Sequence, residues 1–405
     1  MKVNGARLQR SIDELAGIGA LEGGGVCRLA FTASDKAARD HVASRMRALG
    51  LQVRVDGIGN LMGVHAGREQ GPVVACGSHS DTVATGGRFD GAVGVLAGLE
   101  VMEALNDARV TTRRPVAVLD FVNEEGARFM PDMMGSLFVR GDLKIEEAHG
   151  IKGIDGVLLG EDLDRFGFCG GDDFGNGRIG CYLELHIEQG PVLEQEKISI
   201  GVVEGVQGIR WIAFTLRGAT AHAGATPISL RRDAAYAAGE VVRCARRLSL
   251  EIEGQRATVG SLSLSPNLVN VVAEEARLTV DLRNPDSTRL QQAEDELFRF
   301  VDQIAAAERV LVEHETRVDV PPVAFDRAMV DAVDAAAHAL GCSSMRMISG
   351  AGHDAQIMAQ VCPAAMVFVP SRGGISHNIH EYTAPEDIER GANVLLHTLL
   401  ALAGK

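Results

Sequence analysis

Aromatic residues are scarce in this chain, at 4% with a single tryptophan. Recognition surfaces built on Tyr, Trp and Phe anchors are therefore disfavoured relative to an enzyme. Paired cysteines are lacking too. The seven present (Cys27, Cys76, Cys169, Cys181, Cys244, Cys342 and Cys362) are scattered, odd in number and form no CxxC pair. A disulfide framework and a cysteine-based zinc site are both disfavoured, and a reducing cytoplasm is the expected setting. No uninterrupted apolar run reaches the roughly 18 residues of a membrane span. The charged segment MKVNGARLQRSIDEL has no apolar stretch of the kind a signal peptide requires. Positive charge is not in excess either. A net charge of −14 argues against nucleic acid or an anionic membrane as partner. It leaves small anionic substrates open, because charge within a cleft decides their binding and a bound metal reverses its sign.

What the chain does have is length, glycine and buried-strand texture. With 405 residues, 47 of them glycine, two domains are expected. Apolar runs at 73–76, 116–122 and 182–187, with the helical stretch AVGVLAGLEVMEALN between the first two, give a βαβ pattern. That pattern predicts an α/β fold with a mixed, largely parallel sheet. Near the start, Ser34 is the expected cap of a helix DKAARDHVASRMRAL that stops at Gly50 before a strand LQVRVD.

Around residue 208 the pattern changes. IRWIAFTLRG, TVGSLSLS and ARLTVDLR alternate as half-buried antiparallel strands, accompanied by helices at 233–247 and 289–307. After Pro321-Pro322 the helix–strand–helix pattern returns. The expected organisation is a catalytic domain made of residues 1–206 and 324–405, interrupted by an inserted α+β domain at 207–323.

The chemistry concentrates where apolar runs end. Val73–Cys76 is followed by GSHSDTVATGGRFD, with His79 and Asp81 two apart and Asp90 after a glycine-rich turn. The run ending at Val122 is followed by Asn123-Glu124-Glu125-Gly126, and His186 and His377 each follow a further apolar run. Singly, these are ordinary strand-end histidines, turn aspartates and helix-start glutamates. Together, at successive strand ends of one βαβ pattern, they form the set of imidazoles and carboxylates that a divalent metal requires.

The segments GSHSDTV, GRFDGAVGVLAG, NEEGARF, ELHIEQGPVLE, HAGATP and GISHN with Glu381 together resemble the hydantoinase/carbamoylase branch of the M20 metallopeptidase-like amidohydrolases. The resemblance covers nearly the whole chain in order. It implies a di-metal catalytic domain with an inserted lid and dimerisation domain, and a homodimer. It implies two divalent ions per subunit, zinc first, with manganese, nickel or cobalt as alternatives. By resemblance, His79 and His186 ligate one ion, Glu125 and His377 the other, and Asp90 bridges both. Glu124 resembles the general base, and Asp81 the carboxylate that orients the His79 ring. His380, standing where the family usually has proline, is a departure expected at the surface or behind the ligands.

In the insert, the resemblance places an oxyanion donor at His222, a substrate contact at Asn270 and a substrate-carboxylate clamp at Arg283, whose planar guanidinium suits bidentate binding. Gln189 resembles a polar substrate contact near the metals, whereas Asn267 reads as a turn residue. Asn270-Val271-Val272-Ala273-Glu274 lacks the proline and glycine that commonly follow this asparagine, and Gly135-Ser136-Leu137-Phe138 lacks a basic residue common there. The implied activity is hydrolysis of an N-carbamoyl-L-amino acid, with allantoate, β-ureidopropionate or an N-acyl amino acid as alternative small-molecule substrates. A catalytically silent binding homologue is the alternative of another class; it would lack Glu124 or a ligand, and none is missing.

Overall fold

The computed structural model describes every residue except 176 and 405. The chain forms two units: Met1–Gly205 with Ala324–Lys405, and Val206–Val323. In chain order, the larger unit contributes β1 (Gln52–Val55), β2 (Leu61–His65), β3 (Val73–His79), β4 (Val116–Phe121), β5 (Ile179–Ile187) and β6 (Ile200–Val206). The smaller unit contributes β7 (Gly208–Arg217), β8 (Ala221–His222), β9 (Arg256–Ser265), β10 (Val271–Val272), β11 (Glu275–Asn284) and β12 (Leu311–Val320). The chain then returns through β13 (Val323–Ala324), β14 (Ser344–Ser349) and β15 (Ala364–Val369).

The large sheet runs β1-β2-β4-β3-β5-β15-β6-β13, with β14 also paired to β6. Its centre is parallel, β4 to β3, β3 to β5 and β5 to β15, and the pairs β1–β2, β2–β4 and β15–β6 are antiparallel. Strands β3, β4 and β15 are buried at every position. Strands covered on both faces read as continuous apolar runs rather than as alternation, and that is why they were legible. Helix Ala92–Asp107 crosses from β3 to β4 and packs against β3 and the helix Pro385–Ala403. Because the central strands are parallel, their carboxyl ends share one sheet edge, where sites in open α/β sheets form.

The smaller unit is a four-stranded antiparallel sheet in the order β12-β7-β11-β9. Alternate residues of β11 (Ala276, Leu278, Val280 and Leu282) point into a core shared with helices Ala234–Glu251 and Ser287–Glu308. Strand β12 was not expected. Its sequence LVEHETRVDV leaves most positions exposed, because a charged edge strand needs no alternation. The cap expected at Ser34 is also corrected: Thr32 caps Ala33–Ala48 by accepting from the Asp35 N–H, and Ser34 donates to the Cys27 carbonyl instead. All seven cysteines are free. Among the described residues no helix is long and apolar enough to cross a membrane.

Candidate active site

Each central strand delivers a functional side chain at its carboxyl end. His79 is the last residue of β3, Glu124 and Glu125 follow β4, His186 lies one residue inside the end of β5, and His377 lies on the loop after β15. Asp90 sits in the turn before helix Ala92–Asp107. The structure draws the other five side chains around Asp90. One carboxylate oxygen of Asp90, Oδ1, lies 3.1 Å from His186 Nε2, and the other, Oδ2, lies 3.6 Å from His377 Nε2. Glu125 Oε2 is 3.2 Å from His377 Nε2, and Glu124 Oε2 is 3.3 Å from His79 Nε2. The ligating atoms of His79, Asp90 and His186 fall within 4.8 Å of one another, as do those of Asp90, Glu125 and His377. Asp90 alone is common to both groups.

Whether the set suits cations can be judged from the rings. His79 Nδ1 is bound to the Asp81 carbonyl at 3.1 Å, and His186 Nδ1 to the Ile187 carbonyl at 2.9 Å. A neutral ring that donates through Nδ1 presents a lone pair at Nε2; that of His79 faces Glu124, and that of His186 lies beside Asp90 and within reach of the Gly91 N–H at 3.2 Å. His79 Nε2 is buried without a hydrogen-bond partner. A lone pair aimed at an anion is unfavourable unless a cation lies between them, so the donor set fits divalent metals with nitrogen and oxygen ligands.

The electrostatics agree. Burial, and then the neighbouring charge of Asp354, hold Glu124 well above the usual carboxylate range. Burial and then Asp90 do the same for Glu125. Burial pushes Asp90 upward, but His186, His79 and Ser376 overcome it and bring it below the ordinary range. Burial opposes the charged form of His186, yet Asp90 raises that ring to about 9, so a proton and a metal ion compete for the place between Nε2 and Asp90. Positive charge is thus what this pocket is short of, and bound cations supply it.

Gly91 explains the turn that carries Asp90. Its φ is +61°, and a Cβ there would lie 2.3 Å from the His79 ring. Gly91→Ala removes no ligand, yet His79 must move. We expect metal affinity to fall about 10–100-fold, as when a ligand's support is lost. Metal analysis after dialysis checks this, and wild-type content would contradict it.

Asp81 acts differently from expectation. Its carboxylate lies 3.7 Å from His79 Nδ1 and instead accepts the N–H of Glu124 at 3.2 Å and of Glu125 at 3.3 Å. Its main-chain carbonyl holds the ring, and its side chain holds the loop of the two glutamates. Gln189, at φ +57°, donates to Asp90 Oδ2 at 2.8 Å. His380 is exposed and its N–H donates to Asn378 Oδ1.

Sequence reasoning missed His353. It lines the same small cavity, ≈ 140 Å³, as Glu124, Glu125, Gln189 and His377, and its ring centroid is 4.5 Å from that of His186. The local signal was weak, since GAGHDA follows the mixed strand SMRMIS, only partly buried, rather than a continuous apolar run. Glu184, His186 and His353 also cluster, and the Glu184 carboxylate there already accepts from Ser78 at 2.7 Å, from the Ala355 N–H at 2.9 Å and from the Tyr182 hydroxyl at 3.3 Å.

The model of Peptidase family M20/M25/M40 matches residues 75–401. The chain belongs to that family. This M20 chain is 38% identical over 404 residues to N-carbamoyl-L-amino-acid amidohydrolase of Rhizobium meliloti, covering 99% of this chain and 97% of the relative. It is 33% identical over 396 residues to allantoate amidohydrolase of Bacillus subtilis strain 168, covering 97% and 96%. An amidase of the hydantoinase/carbamoylase family from Burkholderia multivorans, solved by crystallography, matches with a TM-score of 0.97 at 46% identity, covering 100% and 99%.

The insert residues of the M20 chain fall into two places within the smaller unit. His222 on β8 pairs with Val271 on β10, and the Ala223 N–H donates to the Asn270 carbonyl at 3.0 Å, so His222 and Asn270 are neighbours. His222 Nδ1 accepts the N–H of Gly224 at 3.1 Å and of Ala225 at 3.0 Å, which leaves Nε2 as the ring nitrogen able to donate, on an exposed residue. Asn267 takes φ +54° in the adjoining turn. Arg283 lies elsewhere. It stands opposite Ile209 at the start of β7, whereas Glu275, beside the β8–β10 pair in sequence, stands opposite Arg217 at its end. Those eight steps of extended strand span roughly 26 Å. Arg283 is bound to Asp281, with Nε 3.0 Å from Oδ1.

Proposed function

We propose that this M20 enzyme hydrolyses the ureido C–N bond of an N-carbamoyl-L-amino acid, giving the free amino acid, carbon dioxide and ammonia. The observation that carries the reading is Asp90, shared by two ligand groups with Glu124 on the wall of the same cavity. The relatives' names direct the choice of substrate. His79, His186 and Asp90 would hold one ion and Asp90, Glu125 and His377 the other, with zinc proposed first and manganese, nickel or cobalt as alternatives. When bound, such a pair polarises the scissile carbonyl and acidifies water.

The chain's own groups do the rest. Glu124, kept basic by burial and like charge, takes the proton of the attacking water and returns it to the leaving nitrogen. An amide nitrogen leaves poorly without that proton. Asp81 keeps Glu124 in place through the main chain. Gln189 supplies an amide at the cavity wall, and His222 Nε2–H, Asn270 and Arg283 are the proposed contacts to oxyanion and substrate carboxylate. Ammonia release over a panel of N-carbamoyl-L-amino acids, allantoate and β-ureidopropionate tests the reading. Highest kcat/KM on an N-carbamoyl-L-amino acid is expected. Preference for allantoate would favour the function of the Bacillus relative, and no release from any of them would sink the proposal.

We also propose a homodimer that shares its sites. Arg283 lies eight strand residues from the end of β11 that joins β10, where His222 pairs with Val271, and we propose that one of the two serves the other protomer's site. Strand β9 is the edge of its sheet, exposed along most of its length, and an unpaired edge is a ready surface for a second copy. If His222 crosses over, mixing inactive Glu124→Gln and His222→Ala protomers rebuilds one intact site in each hybrid dimer. Activity should then return to about a quarter of wild type. No recovery in hybrids verified by two affinity tags would place His222 in its own protomer's site.

A further inference from the structure

Ser376 and Glu381 have no part in the chemistry above, yet both converge on Asp90. Ser376 Oγ donates to Asp90 Oδ2 at 2.6 Å, the oxygen that faces His377. Glu381 reaches the same residue through the main chain. Its Oε1 accepts the N–H of Phe89 at 2.9 Å and of Asp90 at 3.1 Å. Its Oε2 lies 3.2 Å from Ser376 Oγ. A hydroxyl has one proton, and the shorter contact assigns it to Asp90. Glu381 is 5% exposed, and Gly87 makes room for it, since a Cβ at 87 would lie 2.1 Å from Glu381 Oε1.

The bonds join turns from opposite ends of the chain. Residues 87–91 carry Asp90, and residues 376–381 carry His377, which has φ +54° and a side chain 52% exposed. An exposed ligand on a left-handed residue has little packing of its own to fix it, so its loop needs an anchor. Asp90 Oδ2 has two lone-pair directions; Ser376 takes one and Gln189 Nε2 the other, at 2.8 Å. Gln189 Nε2 also lies 3.4 Å from Ser376 Oγ, an acceptor that stays available to it when Oδ2 ligates, while Ser376 keeps its bond to Asp90.

We propose that Ser376 and Glu381 are positioning residues, a tether that aims Asp90 Oδ2 and locks the His377 loop to it. The tether sets the affinity of the ion held by Asp90, Glu125 and His377. This rests on the reading of Asp90 as the bridging ligand. The ion on the Oδ1 side, with His79 and His186, is affected less because those rings are anchored to their own strand ends.

The test is zinc titration of metal-free protein against a chromophoric chelator, for wild type, Ser376→Ala, Glu381→Ala and Glu381→Gln, alongside apoprotein melting. Wild type should bind two ions. Both alanine variants should keep one tight ion and bind the second about 10–100-fold more weakly, the usual cost of losing a ligand's hydrogen-bond partner. Glu381→Gln, which keeps the acceptor oxygen, should stay close to wild type. Wild-type affinity for both ions in Ser376→Ala would overturn the tether, and that variant decides if Glu381→Ala fails to fold. A wild-type protein that binds no pair of ions would overturn the bridging reading itself.

Discussion

A Glu124→Gln enzyme should bind both ions as tightly as wild type and turn over about 10²–10⁴-fold more slowly. Glutamine keeps the size and one acceptor oxygen of the side chain but cannot take up a proton. Glu124 holds its place through its own N–H bond to Asp81, which the substitution leaves untouched, so its loop and the neighbouring Glu125 should not move. Glu124 is not in either group of ligands that share Asp90, and KM should therefore change far less than kcat. Saturation kinetics together with metal analysis check both halves of the statement. A near-wild-type kcat would remove Glu124 as the proton carrier, and loss of an ion would make it a ligand.

The second large effect is expected at Asp90. Asp90→Ala should weaken both ions, each by more than the roughly 10–100-fold cost of losing only an outer partner. Glu125→Ala should weaken one and spare the other. The contrast follows from the geometry, in which Asp90 offers one oxygen to the His186 side and the other to the His377 side. Removing Asp90 also leaves Glu125 and Glu124 facing histidines without their shared counter-group. Titration of both variants reads the difference, and equal behaviour would mean that Asp90 is not shared.

Legibility from the sequence followed burial. β3, β4 and β15 are enclosed on both faces, so their apolar runs announced them, and the polar residues directly after each run announced the site. Strand β12, charged and at an edge, gave no such pattern. The strand-end residues His79, His186 and Glu124 could be picked out locally, but their convergence could not. Ser376 and Asp90 meet across 286 positions of chain, a distance that no spacing rule covers.

Asp81 shows a subtler limit. A His-x-Asp spacing suggests a side-chain contact, whereas the folded turn uses the Asp81 carbonyl for the ring and frees the carboxylate for two main-chain N–H groups. His353 follows a strand that is mixed and only partly buried, and nothing local shows that the loop after β14 reaches the cavity. In the insert, residue types suggested the roles of His222 and Arg283, and only strand register showed that His222 pairs with β10 while Arg283 stands at the far end of β11.

Crystals of the zinc-loaded enzyme, measured on both sides of the zinc absorption edge, test the central claim most directly. The account predicts two anomalous peaks about 3.5–4 Å apart, one beside His79 and His186, the other beside Glu125 and His377, with Asp90 between them. A single peak, or peaks away from Asp90, would contradict it.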